Sequence, residues 1–361
     1  MTRWPDRRIL DLFGIELPII QAPMAGATTV DMVVAAAKAG GLGSLPSAQL
    51  NVEGLRQALT EIRTATKAPV NVNFFSHVSP PGDPAAQMQW RALLAPYFVE
   101  VGLDPAAPVG AAGRAPFDSS FCTVVEELKP EVVSFHFGLP DKALVQRVKA
   151  TGAKIISSAT TVAEAVWLEA NGVDAVIAMG FEAGGHRGNF LTQDMTTQVG
   201  TMALVPQVVD AVRVPVIAAG GIADGRGVAA ALMLGASAVQ VGTAYLFCPE
   251  ARIPAVQAEA LASARDDSTA ITNVFTGRPA RGVVNRLMRE LGPISESVPA
   301  FPTAGGALVP IRAMAEAESR NDFTNLWSGQ AASLALRVGA EELTRELYRS
   351  ALDVIARRSA T

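Results

Sequence analysis

"VPVIAAGGIADGRGVAAALMLGASAVQVGT", Val214 to Thr243, reads as a single strand–helix–strand unit. Its ends, Val214–Gly221 and Ala238–Thr243, are short, nearly continuous apolar runs, the pattern of strands buried on both faces. Asp224 stands where a helix cap belongs, before an apolar helical stretch that runs into Gly235. A helix between two strands, with no hairpin turn, makes those strands parallel. Gly220 and Gly221 end the first strand and Gly242 ends the second, so permissive backbone falls at one edge of the sheet.

The same unit recurs upstream. Strands are expected at Pro18–Met24, Leu42–Ser47, Val70–Phe75, Val132–Phe137, Lys154–Thr160 and Ala175–Gly180, with helical patterns between most of them. Eight parallel strands alternating with helices specify an α/β chain folded as a TIM (β/α)8 barrel. The connection after the third strand is long and holds an extra helical pattern around "AAQMQWRALLAPYFVEVG". After the eighth strand comes a longer insertion with Pro- and Gly-rich pieces, read as a smaller α-helical substrate-binding subdomain. The expected division is a barrel of residues 1–244 and 326–361, closed by the final helix, and a mainly helical lid of 245–325. A doubly wound sheet is disfavoured, because "GLGSLP" lacks the third glycine of a dinucleotide fingerprint and follows a helix instead of opening one.

With 361 residues, 49% of them hydrophobic, the chain can bury a large core. A net charge of −4 with no basic stripe argues against nucleic acid as a partner. The two cysteines, Cys122 and Cys248, form no CxxC pair, so neither a zinc site nor a disulfide framework is expected, and no metal is assigned. The N-terminus lacks a signal-peptide apolar region and no apolar run could span a bilayer. A cytoplasmic protein without a membrane partner is expected, and its oligomeric state is left open.

In such a barrel, chemistry belongs at the C-terminal strand ends. Asn73 and His136 fall there, and "GFEAGGHRGNF" (Gly180–Phe190) follows strand six. The glycines after strands seven and eight lie where these barrels bind phosphate, on backbone N–H groups. His186, among Gly184, Gly185 and Gly188 with no apolar period, reads as a catalytic or ligand residue. His136 could instead serve only the upper barrel's hydrogen bonding, and His77 reads as a loop residue near the mouth. Glu182 and Arg187 read as a surface ion pair. Phe323 and Trp327 are candidates either for packing or for a substrate wall.

Together "QAPMAG", "NVNFF", "EAGGHRG", Gln198–Thr243 and "FTGRPARG" resemble nitronate monooxygenase, formerly called 2-nitropropane dioxygenase, from about Ile15 to Gln330. "NVNFFSH" and "EAGGHRGNF" point to the class that oxidises alkyl nitronates. The resemblance implies non-covalent FMN, with a nitronate or nitroalkane and O2 as substrates and a carbonyl compound and nitrite as products. It implies Pro23 and Met24 beside the isoalloxazine, Asn73 at its pyrimidine edge, and Gly180 and Gly185 near the cofactor. Gly220, Gly221, Gln240, Val241, Gly242 and Thr243 would hold the phosphate, and His186 would be the base. Two departures stand out: Met179 replaces a Gln common in relatives, and Phe323 and Trp327 stand where tyrosines are common. The alternative enzyme is an FMN-dependent NAD(P)H reductase of enoyl thioesters or quinones; a flavin-binding protein without turnover is the non-enzymatic rival.

Overall fold

The computed structural model describes Trp4 and residues 6–110 and 113–359. Eight strands, here numbered one to eight, run Ile19–Gln21, Gly43–Pro46, Val70–Phe75, Val132–His136, Lys154–Ala159, Ala175–Met179, Val216–Ala219 and Ala238–Val241. From two to eight each pairs in parallel with the next, and strand one pairs with strand eight, Ile19 opposite Val239. The ring closes between strands one and two, where Leu42 N donates to Ile19 O at 2.9 Å and Gln21 N to Leu42 O at 3.0 Å. This is a TIM barrel.

The strands form because their β-branched residues face helices outside and layered side chains inside, and nearly every strand residue is buried. They end earlier than their apolar runs do. Strand one stops at Gln21, before Pro23, and strand seven stops at Ala219, before Gly220 and Gly221. Those trimmed residues form the loops over the barrel mouth. Side-chain caps start the outer helices: Thr29, Asn51, Thr161 and Asp224 each accept a backbone N–H of the first turn. The final helix, Ala340–Ser359, packs on the helices Val30–Lys38 and Gly225–Met233.

The long connection after strand three holds two helices, where the sequence pattern indicated one. Pro84–Glu100 leaves the barrel, and Ser119–Leu128, capped by Asp118, is the barrel's own third crossover helix. The short period of "SSFCTVVEEL" is hidden by its Ser- and Asp-rich start. A second apolar cluster lies apart from the main core. In it Trp90, Leu94 and Phe98 of Pro84–Glu100 meet Phe275, Leu287, Leu308, Ile311 and Phe323 from beyond strand eight. The same region contributes strands as well as helices: Thr269–Thr272 pairs antiparallel with Ala280–Val283, which pairs with Gly185–His186. Among the described residues, no helix is long and apolar enough to cross a membrane.

Candidate active site

A cavity of about 410 Å³ opens at the C-terminal strand ends, within the size of small-molecule sites. Its lining contains Pro23, Met24, Asn73, His136, Met179, Gly185, His186, Gly220, Gly221, Gln240, Gly242, Thr243 and Trp327. Residues scattered over eight strands thus converge on one space. Gly180, Val241 and Phe323 lie outside that lining. Gly180 O accepts from Arg187 Nη1, Val241 is in the barrel core, and Phe323 is fully buried, 5.3 Å from the Tyr97 ring in the second cluster.

The glycine-rich stretch after strand six is shaped by two close constraints. Gly185 has φ of 72°, the left-handed region that favours glycine. A Cβ on Gly188 would come within 2.9 Å of both Ser158 Oγ and His136 Cε1. Between them, His186 enters the short antiparallel sheet opposite Ala280. Its Nε2 lies 2.9 Å from Thr276 Oγ1. Phe75, Phe301 and Trp327 present their rings to the imidazole at 6.1, 5.4 and 5.5 Å. Loss of water contact holds its pKa well below the usual histidine value, and the cations Arg114 and Arg278 lower it further. The ring is therefore neutral near pH 7.

His136 touches the site through its neighbours as well as the cavity. Its Nδ1 is 2.6 Å from Ser158 Oγ and its Nε2 is 3.1 Å from His186 O. The backbone carbonyl can only accept, so Nε2 carries the hydrogen. Burial pushes this imidazole down to about 3, with Arg278 adding to the effect. His77, nearly sealed among Phe75, Phe137 and Phe301, has no hydrogen-bond partner at either ring nitrogen among the described residues.

Arg187 corrects the reading of a surface ion pair. It is fully buried, and its guanidinium donates to Met179 O, Gly180 O and Gln198 Oε1. It thereby satisfies carbonyls freed where strand six ends and the loop begins. Glu182 turns elsewhere and accepts from the N–H and hydroxyl of Thr201. Three contributors had no individual signal in the sequence. Thr276 lies in a recognised stretch but had no assigned role. Arg114 and Arg312 sit in the cavity lining from irregular and lid segments. Among the described residues Arg114 has no carboxylate partner; burial brings its pKa down to about 10, with Arg312 contributing.

The polar lining also has unmet capacity. Asn73 Nδ2 donates to Ser134 Oγ at 3.0 Å, and among the described residues no hydrogen bond is made to its Oδ1. Gln240 Oε1 is buried with no partner among the described residues. Among the described residues, no hydrogen bond is donated by the N–H groups of Gly221, Gly242 or Thr243. A set of acceptors at the inner lining and free N–H donors at strands seven and eight suits a flat ligand with amide edges and an anionic tail.

The family model described as nitronate monooxygenase matches residues 6–350. A nitronate monooxygenase of Paraburkholderia phytofirmans is 41% identical over 346 residues, covering 95% of this chain and 94% of its own. Among solved structures, a nitroalkane oxidase from Streptomyces ansochromogenes is similar with a TM-score of 0.88 and 35% identity, over 98% of this chain and 100% of that one. FabK from Thermotoga maritima is similar with a TM-score of 0.75 and 30% identity, over 100% of this chain and 99% of that one. The chain belongs to the nitronate monooxygenase family and is an oxidoreductase.

Proposed function

We propose that this protein is an FMN-dependent nitronate monooxygenase that oxidises alkyl nitronates, and neutral nitroalkanes after proton removal, with O2 to carbonyl compounds and nitrite. The observation that carries this reading is a neutral His186 displayed in the cavity, ringed by Phe75, Phe301 and Trp327 and flanked by the cations Arg114 and Arg278. A neutral imidazole can accept a proton, and the flanking cations favour the anion that its removal leaves behind. The aromatic walls give an alkyl group an apolar surface and limit water around the reacting carbon.

The lining fits the cofactor that the family resemblance implies. Gly221, Gly242 and Thr243 would hold the phosphate on their N–H groups, Gln240 and Asn73 would meet polar ring edges, and Pro23 and Met24 would flank the ring. When bound, FMN supplies the redox chemistry, taking electrons from the nitronate and passing them to O2. Gly180 and Val241 support this cradle from behind, and His136 fixes the backbone of His186. Residues 1–244 and 326–361 then form the cofactor barrel and 245–325 its lid, which draws Pro84–Glu100 into its apolar cluster.

His186→Asn tests the base. Turnover of neutral nitroethane should fall by about 10²–10⁴-fold, the usual worth of a positioned base. Ethyl nitronate, already deprotonated, should be far less affected at matched flavin content. Because the folded pKa lies well below 6.5, the wild-type nitroethane rate should show no acid limb from this group near 6.5. Equal losses on both substrate forms would make His186 a binding residue instead.

A further inference from the structure

"FTGRPARG", Phe275 to Gly282, is a recognisable part of the sequence in which only Arg278 has so far been given a role in the chemistry. It is tied to the catalytic loop at several points. Ala280 and Arg281 pair with His186 and Gly185, and Arg187 N donates to Pro279 O at 2.9 Å. The Arg278 guanidinium stacks over the Phe137 ring at 3.9 Å. Thr276, 3% exposed, places its Oγ1 at 2.9 Å from His186 Nε2 and at 3.4 Å from Arg278 O.

We infer that Thr276 is a positioning residue that fixes the tautomer of His186, so that Nε2 carries the hydrogen and Nδ1 is the atom that accepts the substrate's α proton. The inference rests on the assignment of His186 as the base. A hydroxyl has one hydrogen and two lone pairs. The Thr276 hydroxyl donates to the Arg278 carbonyl at 3.4 Å, which can only accept, and this leaves a lone pair facing Nε2. Nε2 must then be the N–H of a neutral ring. Which nitrogen of a histidine is protonated is set by the bond that the other makes or lacks. Nδ1 has no partner among the described residues, and His186 lines the cavity, so its lone pair is available to a bound molecule. The proton moves from the substrate carbon to Nδ1 as that carbon's electron pair passes into the nitro group. This yields an imidazolium and a nitronate, with no outside reactant. Thr276 Oγ1 keeps accepting from Nε2 throughout, so the ring need not turn during transfer.

Histidine is scarce in this chain, with only 3 residues, so each ring can be followed separately. The direct test is ¹⁵N-histidine NMR of the flavin-loaded protein near neutral pH, with His186 signals assigned by their loss in His186→Asn. A protonated Nε2 and a bare Nδ1 are expected; a protonated Nδ1 overturns the inference whatever the kinetics. Kinetics provide the second arm. Thr276→Val should lower kcat for nitroethane roughly 3- to 10-fold, the worth of one net hydrogen bond, with KM little changed. Ethyl nitronate turnover should hold, and Thr276→Ser should restore the nitroethane rate. Equal losses on both substrates, or no rescue by Ser, would overturn the positioning role. If His186→Asn spares nitroethane, the base assignment itself fails and the role given to Thr276 falls with it. That failure is distinguishable, because the NMR pattern would still show a protonated Nε2.

Discussion

His77, His136 and His186 all lie within ring contact of Phe137, yet their nitrogens meet different partners. Among the described residues, His136 is bonded on both sides, His186 on one, and His77 on neither. Burial, with the nearby cations Arg278 and Arg114, depresses His77 to about 4. The unfolded chain therefore takes up a proton on this residue below about 6.5 that the folded protein refuses until about 4. The contribution to stability is complete above that upper value and is lost as pH falls through the window. His136, depressed to about 3, acts in the same direction over a wider range. His77→Phe should leave the melting temperature at pH 7.5 unchanged or raised, since an apolar ring replaces an unpartnered polar one. The fall in melting temperature from pH 7 to pH 5 should become shallower; an unchanged slope would remove His77 from the acid response. From sequence, His186 was legible because a histidine among glycines has no packing period to satisfy. His77 was not, because nothing in "FFSHVSPPG" says that a lid residue, Phe301, will close over it.

Among the elements, strands seven and eight carry the phosphate proposal. The two glycine positions make unequal probes. Gly221 has φ of 68°, so any side chain there strains the backbone and confounds the result. Gly242 has φ of −109°, and a Cβ on it would find only ordinary contacts, Ala22 Cβ at 3.5 Å and Met24 Sδ at 3.8 Å. Gly242→Glu should therefore fold and keep its melting temperature in the flavin-free state, yet purify with far less flavin, because a carboxylate would sit beside the free N–H groups and repel phosphate. Gly242→Ala should retain most of it. Full flavin content in the Glu variant would place the phosphate elsewhere. Barrel strands were legible because a strand buried on both faces needs a continuous Val- and Ile-rich run. The small sheet was not, since Thr269–Thr272 and Ala280–Val283 are four residues each and find their third partner, Gly185–His186, far upstream.

Across the whole molecule, the barrel fixes the strand ends, and residues 245–325, proposed above as a lid, add to the cavity lining. Strand order and the position of the mouth follow from the repeating unit, so a strand-end part of the cavity lining could be named before any coordinates. What the lid contributes could not, because its segments meet through tertiary packing alone. Trp90 and Phe275, distant in sequence, share one cluster, and Arg114 and Arg312 reach the same cavity from different connections. Residues 245–325 supply Thr276, Phe301 and Arg278 around His186, while Arg114 and Trp327 come from outside that span. The barrel alone would serve a flavin reductase equally well. The most direct test of the account is the visible spectrum of the purified yellow protein under nitrogen, mixed in parallel with ethyl nitronate and with NADH. Prompt bleaching of the flavin band by the nitronate is expected, with no comparable bleaching by NADH and recovery of colour when air is admitted. Prompt bleaching by NADH with the nitronate inert would contradict it and make the chain a reductase.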